Sequence, residues 1–453
     1  MSNPEADDAT PITSTAQLAA YIAAGCKPRD AFRIGTEHEK FGFRLSDDTP
    51  PPYAPDGIRA VLEGFAANGG ALILDHTQPI GLDRGDRAIS LEPGGQLELS
   101  GAPLTTLHET KRELERHFAE LNRVAGRLGL GFAPLGFHPL ASREAMPWMP
   151  KSRYAIMRAY MPKVGRLGLD MMLRTCTVQA NLDYASEADM VRKFRLALCL
   201  QPLATALFAN SPFREGRPSG LLSTRGEVWR DTDPDRTGIP AVVFEADFGF
   251  ARYVEWVLDV PMYFIRRNGS YCDLSGRTFR DFMAGRVAEA AGETATIGDF
   301  ADHLTTIFTD VRLKRYLEMR GADAGSISMM LAQSALWVGL FYEDAALSAT
   351  ASLLARHHWQ EYAALRDQVP KTALSTPFAH GTLRDLAREV LAIAAAGLAQ
   401  RRRLNAAGED ERIYLAPLEA IAAGGLTQAE RWLDRFHTAW KGNVRPIFQE
   451  AKI

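Results

Sequence analysis

Cysteine is scarce in this 453-residue chain: Cys26, Cys176, Cys199 and Cys272 lie far apart, with no C-x-x-C spacing. That argues against a disulfide scaffold and a structural zinc site, and it fits a reducing compartment, so a cytoplasmic location is expected. An excess of charge of one sign is missing as well. Lys plus Arg number 52 against 55 Asp plus Glu, a formal net charge of −3. No basic stripe of the kind a polyanion binder needs runs along the sequence, so no nucleic-acid partner is expected. Long apolar runs are absent: the most apolar stretch, LALCLQPLATALFAN (196–210), is too short for a bilayer and holds Gln201, Pro202 and Thr205. It reads as a buried helix, and no membrane partner is expected. The opening MSNPEADDATPITS lacks the basic and apolar blocks of a secretory signal and the Arg-rich character of a transit peptide, so residues 1–12 are expected to form a flexible arm. No linker, low-complexity run or internal repeat divides the remainder, and residues 13–453 are read as a single domain. Neither a G-x-x-x-x-G-K-[ST] loop nor an H-E-x-x-H pair occurs, which excludes a Walker-type nucleotide site and the common zinc-hydrolase motif.

What is present is ordinary globular material, 46% hydrophobic and 24% charged. TSTAQLAAYIAAG (13–25), IRAVLEGFAANGG (58–70), TLHETKRELERHFAELNRVAGRLG (106–129) and the segment from Ser186 through LALCLQPLATALFAN carry helical spacing with caps or stops. RIGTEHEKFGFR (33–44), RAISLEPGGQLELS (87–100) and LRTCTVQANLDY (173–184) alternate as strands. From about residue 327 the chain is Ala/Leu-rich and helical. Strands early and helices late give an α+β class.

Strand parity carries the functional argument. In RIGTEHEKFGFR, Glu37 and Glu39 share one face while Thr36, His38 and Lys40 take the other. In SLEPGGQLELS, Glu92, Gln96 and Glu98 oppose Leu91, Leu97 and Leu99, provided that the Pro-Gly-Gly does not shift the phase. Gln179 and Asn181 oppose Val178, Ala180 and Leu182, and in RYLEMRGAD Glu318 and Arg320 oppose Leu317 and Met319. Each stretch alone reads as a solvated edge. Together they imply a sheet with one face packed on helices and the other lining a polar cavity, where so many acids need cations to offset their repulsion. Such a cavity suits Mg²⁺ and phosphate chemistry better than zinc hydrolysis. Parity places His38 on the packed face as a structural residue, and Trp148, Trp229 and Trp337 read as core or pocket wall.

RIGTEHEKFGF, ISLEPGGQLELSGAPL, SRYAIMRAYMPKVGRLGLDMMLRTCTVQANLDY, ALFANSPFREG, STRGEVWRDTDPDRTG, HLTTIFTDVRLKRYLEMRGAD and STPFAHG closely resemble the plant and proteobacterial type of glutamate–cysteine ligase, from about residue 30 to the final VRPIFQE. The resemblance implies a glutamine-synthetase-like carboxylate–amine ligase, with a curved antiparallel sheet forming a funnel for Mg²⁺-ATP. It implies ATP-dependent phosphorylation of the glutamate γ-carboxyl and attack by the cysteine amine, the first step of glutathione synthesis, on glutamate, cysteine and ATP as small-molecule partners. It also implies Glu37, Glu39, Glu92, Glu98 and Glu318 as Mg²⁺ ligands. Arg153 and Arg225 match family arginines that bind glutamate or its phosphorylated form, and Arg320 is assigned to the ATP phosphates. These three arginines form the implied catalytic set, with Gln179 and Asn181 as substrate-side or metal-orienting amides. A monomer or weak homodimer is expected. Plant members carry a cysteine pair where this chain has Leu274 and Glu289, which puts thiol control in doubt. The alternatives are a γ-glutamyl ligase with another amine acceptor, a metal-dependent phosphohydrolase, and a non-catalytic helical interaction protein.

Overall fold

The alternating stretches do pair with one another. In a computed structural model that describes residues 8–453, nine strands form one sheet. They are β1 (Ile34–Arg44), β2 (Ala71–Asp75), β3 (Gln78–Asp83), β4 (Ala88–Leu91), β5 (Leu97–Ser100), β6 (Leu130–Ala133), β7 (Val178–Leu182), β8 (Val311–Leu313) and β9 (Leu317–Met319). The order is β8-β9-β7-β1-β5-β4-β3-β2, all antiparallel, and β6 joins the far half of β1. The sheet is open, with β8 and β2 at its ends. Of the expected arm, the first seven residues lie outside the described chain; Ile12 N donates to the Ala295 carbonyl at 2.9 Å.

The helices are α1 (Thr15–Ala23), α2 (Ile58–Ala66), α3 (Leu107–Arg127), α4 (Arg153–Val164), α5 (Gly168–Arg174), α6 (Glu187–Leu207), α7 (Thr224–Trp229), α8 (Ile327–Phe341) and α9 (Leu383–Arg401); α1, α2, α3, α6, α8 and α9 fall in the predicted helical spans, and α4, α5 and α7 do not. Thr106 caps α3 in a reciprocal box with Glu109, and the face carrying Leu107, Leu114, Phe118 and Leu121 is buried. Helix α8 is buried on nearly every side, as its uniformly apolar sequence requires. It crosses α9 backbone to backbone: a Cβ at Gly397 would lie 1.9 Å from the Gly339 carbonyl oxygen. No helix among the described residues is long and apolar enough to cross a membrane.

Two strand boundaries differ from the alternation. Leu173 and Arg174 end α5 instead of opening β7, because Arg174 Nε donates to Asp170 Oδ1 at 2.6 Å, one turn back, and closes a helical turn. Arg320 lies beyond the end of β9. The phase across Pro-Gly-Gly holds. Glu92 N donates to the Gln96 carbonyl at 2.9 Å, and Gly95, at φ 85°, takes the left-handed turn position. The β2–β3 hairpin, interrupted by a bulge between Ile73 and Leu74, has no counterpart in the sequence reading.

Candidate active site

Register builds the acidic row. Glu39 pairs with Glu98, which pairs with Ser90; Glu37 pairs with Ser100 on one side and Gln179 on the other; Asn181 pairs with Glu318, which pairs with Arg312. Residues directly opposite one another in antiparallel strands share a face, so these side chains form one polar surface across five neighbouring strands plus β8. All five glutamates are buried. Asn181 Nδ2 donates to Glu37 Oε1 at 2.8 Å, Thr177 N to Glu39 Oε2 at 3.0 Å, and Ser100 Oγ to Glu98 Oε1 at 2.7 Å. Gln96, on the same parity, is spent on structure: its amide donates to the Met172 and Thr175 carbonyls.

Glu318 is held differently. Arg312, directly across the β8–β9 hairpin, donates from Nη2 to both carboxylate oxygens at 2.7 and 2.8 Å, and Arg320 Nη1 bonds to the same carboxylate. Burial works against this charge, yet Arg312, Arg320 and Lys314 hold the Glu318 carboxyl well below the usual range. Arg320 also donates to Gln179 Oε1 at 2.8 Å. Arg225, from α7, donates from Nη2 to the Arg320 carbonyl at 2.8 Å. Two contiguous clefts share Arg225, Trp229, Phe308 and Arg320 as walls. One extends to Asp310 and Arg366, and the second reaches Glu39, Glu92 and Gln179 on the sheet. Trp229 is thus a pocket wall, while Trp337 is core.

Arg153 stands apart from that group. It opens α4, is buried, and lines neither cleft, although Met157, one turn further along, lines the second. Its Nε and Nη2 have no hydrogen-bond partner among the described residues. Nearby Lys151 is also buried, and burial, then the Arg153 charge, pulls its amine down to about 7. Two buried cations at the start of one helix, one with donors unmet, make a place for an oxyanion. The sequence reading did not single out Lys151, Arg312 or Asp323. Hairpin parity would have exposed Arg312, because it falls opposite Glu318; Asp323 sits in a loop, where no periodicity marks it.

The acids bear on metal binding in two opposing ways. Burial, then the charges of Glu318 and Glu98, raises the Glu37 carboxyl, and burial with Glu92 and Glu98 pushes Glu39 up to about 8. Glu37 Oε2 and Asn181 Oδ1 are buried without partners among the described residues. Oxygen donors in this state match a hard divalent cation. Yet no group of three or more His, Cys, Asp or Glu side chains among the described residues is gathered as a metal cage, and Glu318 is engaged by arginines. The donor chemistry fits Mg²⁺; the spacing is that of neighbouring register positions.

Residues 33–450 match the glutamate-cysteine ligase family 2, GCS2. The chain belongs to that family. It is 50% identical over 441 residues to glutamate–cysteine ligase B, chloroplastic, of Oryza sativa subsp. japonica, covering 97% of this chain and 87% of the rice protein. It is 50% identical over 447 residues to the chloroplastic glutamate–cysteine ligase of Arabidopsis thaliana, covering 98% and 84%. Among solved structures, a glutamate–cysteine ligase from Francisella tularensis in complex with AMP shares the fold, with a TM-score of 0.53 at 14% identity, covering 92% of this chain and 88% of that one. That the rice, Arabidopsis thaliana and Nicotiana tabacum relatives are chloroplastic ligases overturns the expectation of a cytoplasmic protein. Unpaired cysteines report reducing conditions and give no address.

Proposed function

We infer that this GCS2 member joins the γ-carboxyl of L-glutamate to the amine of L-cysteine with cleavage of ATP. The observation that carries the reading is the row of buried carboxylates and amides across β5, β1, β7 and β9, bordered by Arg225 and Arg320, in a chain of this family. In this proposal the γ-carboxylate attacks the terminal phosphorus of ATP and ADP leaves; the cysteine amine then attacks the acyl carbon and phosphate leaves. No side-chain nucleophile takes part. Residues 13–453 act as one catalytic unit.

Arg225 and Arg153 hold glutamate oxyanions, and Arg320 holds phosphate oxygens, because a planar fork of donors fixes direction as well as charge. Trp229 and Phe308 exclude water from the cleft in which the acyl phosphate would otherwise hydrolyse. Glu37, Glu39, Glu92 and Glu98 would hold Mg²⁺, with Glu318 joining on exchange of its arginine partners, and Gln179 and Asn181 orient the row. When bound, Mg²⁺ neutralises the phosphate charge. The test is ADP release with glutamate against a panel of amines. Release that needs both glutamate and an amine, with cysteine far ahead, is the expected result; release without an amine points to a phosphohydrolase, and another leading amine to a different acceptor.

A further inference from the structure

We propose that Asp323 is the positioning residue that fixes the Arg225 guanidinium and through it sets glutamate affinity, an inference that rests on Arg225 being a substrate-binding group. Asp323 is fully buried and lines neither cleft, so it meets the substrate only through what it holds. Its Oδ2 accepts from Asn210 N at 2.9 Å and Ser211 Oγ at 2.6 Å, while Oδ1 accepts from Ser223 Oγ at 2.9 Å and faces Arg225 Nη1 at 4.0 Å. The two serines carry the effect onward. Ser211 Oγ accepts from Arg225 N at 3.2 Å, and Ser223, the N-cap of α7, accepts from Gly226 N at 2.9 Å.

Both the backbone and the guanidinium of Arg225 therefore trace to one carboxylate. The Arg320 carbonyl takes the other corner of the fork, Nη2, at 2.8 Å. With Nη2 hydrogen-bonded and Nη1 drawn electrostatically toward Asp323 at 4.0 Å, the guanidinium is oriented within the cleft wall it forms. Gly136 makes room for this arrangement, since a Cβ there would lie 2.4 Å from Asp323 Oδ2. Burial pushes the Asp323 carboxyl up, and the facing Arg225 charge and three donors counter that only in part.

The experiment is steady-state kinetics with glutamate varied at saturating ATP and cysteine, then with ATP varied, on Asp323→Asn, Arg225→Lys and the double variant, each beside a melting curve. Asp323→Asn is expected to raise the KM for glutamate about tenfold while the KM for ATP stays within about twofold. The double variant is expected to be no worse than Arg225→Lys alone, because a residue acting through Arg225 has nothing left to lose once the fork is gone. If Arg225→Lys raises the KM and Asp323→Asn does not, or if the two effects multiply, the inference is overturned and the reading of Arg225 stands. If Arg225→Lys leaves the KM unchanged, that reading fails and the inference goes with it. Should Asp323→Asn fail to fold, Ser211→Ala removes one donor from the same carboxylate and keeps its charge. Its KM for glutamate is expected to rise about threefold, and a wild-type value would overturn the inference equally.

Discussion

The two faces of β1 are both buried and both lined with titratable groups, and each leaves one buried atom without a partner among the described residues, Glu37 Oε2 on the inner face and His38 Nε2 on the outer. On the inner face Glu37 and Glu39 sit among other carboxylates, Glu37 Oε2 has no donor among the described residues, and Glu39 is pushed up to about 8. On the outer face Lys40 Nζ lies 3.1 Å from His38 Nδ1 and 2.9 Å from His117 Nε2, beside the Phe118 ring at 5.4 Å. Thr36 completes that face by bonding to Ser334 of α8 at 2.7 Å. Burial of charge therefore does not mark a functional site. What marks it is access: the carboxylates of the inner face border an open cleft, where a ligand can reach the cluster and complete it.

The largest contrast is expected from exchanging the two faces' roles. Glu37→Gln or Glu98→Gln is expected to lower kcat by about 100-fold or more at saturating Mg²⁺ while the melting temperature stays close to that of the wild type. Lys40→Ala is expected to do the reverse. It leaves a cavity and two imidazoles without their partner, costing about 2–4 kcal/mol in denaturant unfolding, with kcat retained in the folded fraction. If the glutamine variants turn over normally, or if Lys40→Ala abolishes turnover in a stable protein, the division between the faces is wrong.

Next comes a contrast between two arginines on the inner side. Arg225 is tied by the Arg320 carbonyl, whereas Arg153 has two nitrogens without partners among the described residues. Lysine at either position keeps the charge and loses the fork. Arg225→Lys is expected to weaken glutamate use by about 1–3 kcal/mol, read as kcat/KM, with little change in melting. Arg153→Lys is expected to act similarly and more on kcat. If both variants match wild type, the oxyanion sites lie elsewhere on the acidic sheet.

How much of this was legible beforehand follows from what side-chain alternation encodes. Parity put Glu37, Glu39, Glu92, Glu98, Gln179, Asn181 and Glu318 on one face, because a pleated strand leaves no other choice, and the hairpin kept its phase across Pro-Gly-Gly. Parity says nothing of what comes to meet that face. Arg225 borders it from a six-residue helix, with Asp323 behind that arginine in a loop, and such contacts are fixed by tertiary packing alone. The β2–β3 hairpin escaped notice because its bulge breaks the period-two pattern. The compartment was misjudged because cysteine usage reports redox conditions only.

A smaller effect tests the cation directly. In the metal-free protein Glu39 keeps its proton up to about pH 8 against an ordinary value near 4.5. The folded state thus binds more protons than the unfolded one between those limits, and this group's contribution to stability is lost as pH rises through them. Mg²⁺ must displace that proton in nearly every molecule at pH 6 and in only about half of them at pH 8. The rise in melting temperature caused by Mg²⁺ is therefore expected to be larger at pH 8 than at pH 6, and Glu39→Gln is expected to flatten the difference. Other titrating groups act with and without the metal, so comparing the two removes them. A Mg²⁺ shift independent of pH would show that Glu39 is not a ligand.

The smallest expected effect is none at all, and it concerns the sulfur beside the two faces. Cys176 is buried near Glu39, and burial, then that charge, pushes its thiol well above its ordinary value, while burial pushes Cys199 up to about 12. Thiols that seldom ionise seldom attack a disulfide. Cys272 is half-buried in the hairpin of Phe264–Arg267 and Ser270–Asp273, where its Sγ approaches the Glu289 carbonyl at 3.8 Å. The two positions that bear on thiol control are occupied otherwise: Leu274 is buried, and Glu289 pairs with Arg277 at 2.5 Å. All four cysteines are free. Treatment with a thiol oxidant and then a reductant is expected to leave activity unchanged, provided that the acceptor is α-aminobutyrate, which has no thiol of its own to be consumed. Activity that climbs on oxidation and falls on reduction, together with a mapped intramolecular disulfide, would mean that Cys272 finds a partner through a rearrangement of this hairpin, and that the acidic face is under redox control from outside the sheet.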